Sequence, residues 1–186
     1  LDREAFGSEL DGLLAQGVHN LNLVTPTPWI DFLERFLADR PAPVPVVWNS
    51  NGYDGPDRIR RAASFVSVHL PDVKCLDPGL SRVLFGRADY AERMESTLSA
   101  MMRLYGPAVV EPDGLVRRGV AIRHLVLPGL LEETYRVLEF LAERVPLETP
   151  LSLMSQYTPF HKTVGGWAGP GDLARRLTRL ERRRAH

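Results

Sequence analysis

One cysteine in 186 residues, Cys75, leaves no partner for an internal disulfide and cannot alone supply the ligands of a cysteine-held zinc or iron–sulfur site. Net charge is missing as well. The 23 basic and 23 acidic residues cancel, so no global field draws the chain to nucleic acid or to an anionic membrane, and nucleic acid is not an expected partner. No apolar run approaches the roughly 20 residues that cross a bilayer, and the first residues form neither a charged nor an apolar leader. No membrane partner is expected, and the cytoplasm is the expected location. The chain opens at Leu1, inside a helical pattern, so we expect it to belong to something longer. Its length suits one sizeable core, with residues 1–160 as the domain and 161–186 as a linker and a basic C-terminal helix.

What is present is organised around residues 44–53, Val-Pro-Val-Val-Trp-Asn-Ser-Asn-Gly-Tyr, an apolar run that turns abruptly into amide and hydroxyl side chains. Such a run reads as a strand buried on both faces of a parallel sheet. In parallel α/β architectures ligands sit at the carboxyl ends of strands, which makes Asn49, Ser50 and Asn51 candidates. The bland alternative is a turn, with Asn51-Gly52 supplying a positive φ. Further strands are expected at 20–24, 64–70, within 116–127 and at 149–155. Helices are expected at 2–16, from Pro28 (capped by Thr27) to about 39, at 57–63, near 80–85, at 89–105, at 130–144 and from about Asp172. Strands alternating with helices are the signature of βαβ units in a parallel sheet.

Several residues carry two readings. Asp72 and Lys74 are two apart, so in an extended segment both point to one side and together suit the zwitterionic end of a ligand; the dull reading is an ion pair of little energetic weight. Arg123 and His124 are adjacent in a strand and face opposite ways, and we assign Arg123 to the site. His19 and His69 lack spaced metal partners and read as hydrogen-bonded structural histidines, and Cys75 reads as a small buried residue. The methionines Met94, Met101 and Met102 read as core filler. Gly165-Gly-Trp167 reads as a linker, with a flap as the alternative. The arginines at 175, 176, 179 and 182–184 surround Leu173, Leu177 and Leu180, as on a docked helix whose charges stay wet.

Five segments in order resemble radical S-adenosylmethionine (SAM) proteins, in particular those similar to the pyruvate formate-lyase activating enzyme. They are His19-Asn-Leu-Asn-Leu-Val-Thr-Pro-Thr27, Val46-Val-Trp-Asn-Ser-Asn-Gly-Tyr53, Leu70-Pro-Asp-Val-Lys74, Ile122-Arg-His-Leu-Val-Leu-Pro-Gly129 and Leu153-Met-Ser-Gln-Tyr157. The resemblance spans most of positions 8–160. It implies an α/β fold, a partial parallel (β/α) barrel with five main parallel strands of a radical SAM (β/α)6 fold plus a C-terminal helix. It also implies SAM, cleaved reductively by a [4Fe–4S] cluster that three cysteines hold in the loop after the family's first strand. That strand and loop would lie before Leu1, so the cluster is expected only in a full-length protein. Carried over by position, Thr25, Pro26 and Thr27 occupy the place of the family's glycine-rich SAM motif, with prolines replacing glycines. Asn49, Asn51, Asp72, Lys74, Arg123, Gln156 and Tyr157 stand near the expected methionine, ribose and adenine contacts.

The resemblance implies the barrel portion of a radical SAM enzyme, a glycyl-radical-enzyme activase among the options, with that protein or a small molecule as substrate. The alternative is a SAM-type nucleotide binder or interaction module without catalysis. A metal-free barrel enzyme using Asp72 and Lys74 as acid and base ranks last, because no nucleophile–base pair is recognisable, and no catalytic or metal-ligating residue is assigned. Without a preceding strand, 20–24 is an edge. We therefore expect a homodimer, strand exchange, or cover by a loop or the C-terminal helix.

Overall fold

From Val120 to Pro128 every second residue is buried and those between are half-buried, as in an extended segment with one face on the core, and the same pleat sorts the side chains of the other strands. The structure is a computed structural model that describes residues 2–160 and 169–185. In chain order the elements are α1 (Arg3–Ala15), β1 (Leu21–Val24), a 3-10 turn (Thr27–Trp29), α2 (Ile30–Asp39), β2 (Val46–Ser50) and α3 (Pro56–Ala62). There follow β3 (Val68–Pro71), α4 (Pro78–Phe85), α5 (Tyr90–Tyr105), β4 (Gly119–Val120), β5 (Ile122–Leu125), α6 (Leu131–Arg144), β6 (Leu151–Met154) and α7 (Arg179–Ala185). The fold is α/β, with parallel strands throughout.

A four-stranded sheet runs β1-β2-β3-β4 and a two-stranded sheet runs β5-β6. Registers such as Val24 beside Asn49, Asn49 beside Leu70 and Arg123 beside Ser152 fix which side chains share a face. A parallel bridge between Asp72 and Arg123 connects the two sheets, so strand order follows chain order. On one face, Leu21, Leu23, Val46, Trp48, Val120 and Ile122 pack with Leu33 and Phe36 of α2, Ile59 of α3, Met94 and Met101 of α5 and Val137 of α6. The opposite face is wetter. Asn22, Val24 and Ser152 are exposed there, and Leu70, Asp72, Arg123, Leu125 and Met154 are half-buried.

Local chemistry explains the ends. Asp2 caps α1 by accepting from the Glu4 amide at 3.2 Å, and Asp77 caps α4 through the Leu80 amide at 2.6 Å. Three expectations are corrected. Thr27 does not cap a helix: it opens the 3-10 turn, and its hydroxyl donates to Asp54. The last helix begins at Arg179, well after Asp172. Its start is a capping box in which Thr178 Oγ1 accepts from the Glu181 amide (3.1 Å) and Glu181 Oε2 accepts from the Thr178 amide (2.7 Å). His69 is buried but not hydrogen-bonded: neither ring nitrogen has a partner among the described residues, and the ring meets Tyr105 edge-on at 4.4 Å.

α7 docks on the β5–β6 side, where Leu177 and Ala185 pack on Val126 and the Tyr135 hydroxyl donates to the Arg184 carbonyl at 3.0 Å. It therefore does not cover β1, which pairs only with β2 among the described residues. The methionines at 94 and 101 are core, as expected. Gly165-Gly-Trp167 lies outside the described residues. Among the described residues no helix is long and apolar enough to cross a membrane.

Candidate functional site

The pleat of β2 sends Trp48 and Ser50 to the helix-covered face and Asn49 to the other. The turn that follows needs a glycine. Gly52 has φ +77°, and a Cβ there would stand 2.8 Å from the Asp72 carbonyl oxygen. Only a bare backbone lets the turn after β2 lie against the end of β3. The Asn51 side chain closes this turn by accepting from the Tyr53 amide at 3.0 Å, and Ser50 Oγ accepts from the Gly52 amide at 3.2 Å.

Asn49, Asp72, Lys74 and Arg123 come together here. Arg123 Nε donates to Asp72 Oδ1 at 2.8 Å, and its Nη2 lies 2.7 Å from the same oxygen and donates to Asn49 Oδ1 at 2.7 Å. Lys74 Nζ donates to Asp72 Oδ2 at 2.8 Å. Asp72 and Lys74 thus do share a side, and they pair with each other. The Asp72 and Arg123 side chains retain 20% and 24% exposure and that of Lys74 33%, so the group is shielded without being sealed. One carboxylate between two cations leaves a net positive charge. The ammonium keeps donors beyond those used, and the carboxylate keeps acceptor capacity. The arrangement suits a ligand carrying both an anionic and an ammonium group.

β1 ends beside this group. The Thr25 amide donates to the Asn49 carbonyl at 2.9 Å, and Thr25 adopts φ 54°, unusual for a β-branched residue and a strain the surroundings must hold. Pro26 is buried. Two residues after Thr25, Thr27 is anchored by Asp54, fully buried, which accepts from Ser50 Oγ (2.6 Å), Trp48 Nε1 (3.3 Å) and Thr27 Oγ1. Asp54 was not singled out in the sequence, although a carboxylate following Asn-Gly-Tyr after a buried strand is the visible signal.

β6 delivers Gln156 and Tyr157 to the same rim. Gln156 is exposed, and Tyr157 donates its hydroxyl to the Leu173 carbonyl at 2.9 Å, which ties it to the C-terminal segment; no hydrogen bond links either to the cluster among the described residues. His124 faces away from Arg123, as strand geometry requires, and its ring nitrogens lie 2.6 Å from the Val73 carbonyl and 3.0 Å from Thr134 Oγ1. Burial lowers its pKa. His19 is exposed. Cys75 is buried and free, and burial pushes its thiol up to about 12, with Glu133 and Asp77 adding to the rise. It is neither a thiolate nor one of three, so this chain's residues do not fit an iron–sulfur cluster. Six arginines lie within 175–184. Arg175 is paired with Asp172 and Glu181, and the others are exposed.

No family model matches the chain. It is 28% identical over 163 residues to an uncharacterised protein of Methanocaldococcus jannaschii, a match that takes in 86% of this chain and 42% of that protein. The chain therefore spans less than half the length of the relative it matches.

Proposed function

We propose that this chain is the SAM-binding portion of a radical SAM enzyme similar to the pyruvate formate-lyase activating enzyme, acting in the cytoplasm. The observation that carries the reading is the Asn49–Arg123–Asp72–Lys74 group on the less covered face of a parallel sheet: Asn49 stands next to last in β2, Asp72 and Lys74 follow the end of β3, and Arg123, second in β5, bridges to Asp72. A methionine headgroup is a zwitterion. Lys74 and Arg123 match its carboxylate and Asp72 its ammonium, while Asn49 and Asn51 offer amide groups to the ribose. On this reading the sheet is a partial (β/α) barrel, its wetter face the interior, with Thr25–Thr27 and Gln156–Tyr157 at the two ends of the same rim.

A [4Fe–4S] cluster, when bound, supplies the electron that cleaves SAM. The single buried Cys75 cannot hold it, so its ligands must come from a segment outside these residues. This chain's own part is to hold and orient the methionine end. The substrate is a protein, such as a glycyl-radical enzyme, or a small molecule. The test is a longer protein carrying the preceding segment, reconstituted without oxygen with iron and sulfide. Brown absorbance and reductant-dependent SAM cleavage are expected, and a protein that stays colourless overturns the reading.

A second reading, a SAM-type nucleotide binder or interaction module without catalysis, is favoured by the chemistry of Cys75 alone. It requires SAM binding by a full-length protein that never takes up iron.

A further inference from the structure

Asn51 lies in the turn after β2 and Asp72 and Lys74 in the segment after β3, and a single buried oxygen touches both segments. Tyr90, the first residue of α5, is 2% exposed. Its ring stacks on Tyr53 at 6.2 Å between centroids and packs obliquely on Phe85 at 5.4 Å. Its hydroxyl lies 2.8 Å from the Asn51 carbonyl and 2.9 Å from the Asp72 carbonyl, and it accepts from the Lys74 amide at 3.1 Å. Burial raises the phenol's pKa, so the hydroxyl keeps its proton. One proton serves one carbonyl at a time, which holds both within reach of one atom. Gly52 adds to the same contact, since a Cβ there would stand 3.6 Å from the Tyr90 hydroxyl and 2.8 Å from the Asp72 carbonyl.

We infer that Tyr90 is the positioning residue of this site. Through the Asn51 carbonyl, the Asp72 carbonyl and the Lys74 amide, its hydroxyl fixes the turn after β2 against the end of β3, and so sets where Asp72 and Lys74 present their charges. The inference rests on the reading of the cluster as a ligand site, and it adds a residue that touches no ligand itself. The Asp72 amide donates to the Ser50 carbonyl at 2.9 Å and Arg123 joins Asn49 to Asp72 by side chains, and Tyr90 extends these ties beyond the strand ends to the backbones of Asn51 and Lys74.

The chain's lysines are Lys74 and Lys162, which makes a specific readout available. Reductive methylation with 13C-formaldehyde labels these two and the terminal amine. Lys74→Arg assigns the Lys74 signal by its loss, and Asp72→Asn shows how far that signal moves when the ion pair is removed. Tyr90→Phe keeps the ring and its packing and removes the hydroxyl. The Lys74 resonance is expected to move most of the way to the position seen in Asp72→Asn. Leu98→Ala, a core truncation on the same helix, is expected to leave it in place, so general destabilisation does not mimic the effect. An unmoved resonance in Tyr90→Phe overturns the inference.

Hydrogen exchange of the unmodified protein needs no variant: the Lys74 amide is expected to exchange at least about tenfold more slowly than exposed loop amides, because it donates to a buried oxygen, and free exchange counts against the inference. Titration with SAM separates the two levels of the argument. Binding weakened about tenfold or more by Tyr90→Phe supports both, and binding by the native chain that is unchanged in Tyr90→Phe overturns the positioning role. No binding by the native chain, with the resonance shift present, overturns the SAM reading alone.

Discussion

Asp72 and Arg123 are joined twice, once through their backbones and once through their side chains. The bridge between them carries the Val73 amide to the Arg123 carbonyl at 2.8 Å, and the guanidinium then closes on Asp72 Oδ1 at 2.8 Å. The sheet passes from β3 to β5 across this contact, so the polar cluster is also the seam of the fold.

Asp72→Asn is expected to leave Arg123 and Lys74 close together without a counter-charge. Because the pair is part-exposed, the cost is set at about 1–2 kcal/mol, below that of a fully buried pair. Urea unfolding measures it. SAM binding should fall by tenfold or more, and a stability loss without a binding loss would mark the cluster as purely structural.

Asp54→Ala is expected to cost about 3 kcal/mol, since it strands the Trp48, Ser50 and Thr27 donors in a buried place. The loss should appear first at the end of β1, as faster hydrogen exchange at Thr25, two residues before the Thr27 that Asp54 anchors. A variant as stable as the native chain would contradict the hub role.

His69 gives a pH dependence of definite sign. Desolvation pushes its folded pKa down to about 3 from an unfolded value of 6.5. As pH falls below 6.5 the unfolded chain takes up the proton first, so stability declines between 6.5 and 3, by up to about 1.4 kcal/mol per pH unit. His124, also lowered by burial, acts in the same direction. Glu181, held low by Arg175, loses its contribution only below 4.5, which leaves the window from 6.5 to 4.5 to the histidines among these groups. His69→Leu removes a buried ring without hydrogen bonds and is expected to stabilise the chain at pH 7 by about 1 kcal/mol and to flatten that slope. Thermal melts across the window decide.

Gly52→Ala combines a left-handed backbone with a contact to a carbonyl oxygen that does not yield cheaply. A loss of at least about 2 kcal/mol is expected. If melting is unaffected, the turn after β2 does not pack on β3 as described.

The strands were legible because their signals are local: the apolar run at 46–48 and the alternation of Asn20-Leu-Asn-Leu23. So was the opposite facing of Arg123 and His124, which needs only the pleat. Tyr90 was not legible as a site support, because its partners Asn51, Asp72 and Lys74 lie in other segments; Asp54 had a local signal in Trp48 and Ser50, and only its link to Thr27 is long-range. His69 misled for the opposite reason. A buried imidazole is expected to find a partner, and tertiary packing gave it an aromatic edge instead. The start of α7 was in the sequence as Thr178-Arg-Leu-Glu181, a capping box hidden among arginines.

The most direct measurement is calorimetric titration of the chain with SAM, set beside Asp72→Asn and Arg123→Met. The account expects saturable binding by the native chain, weakened by tenfold or more in each variant and unchanged by substitution of an exposed arginine such as Arg183. Absence of binding in the native chain, or binding indifferent to Asp72 and Arg123, would contradict it.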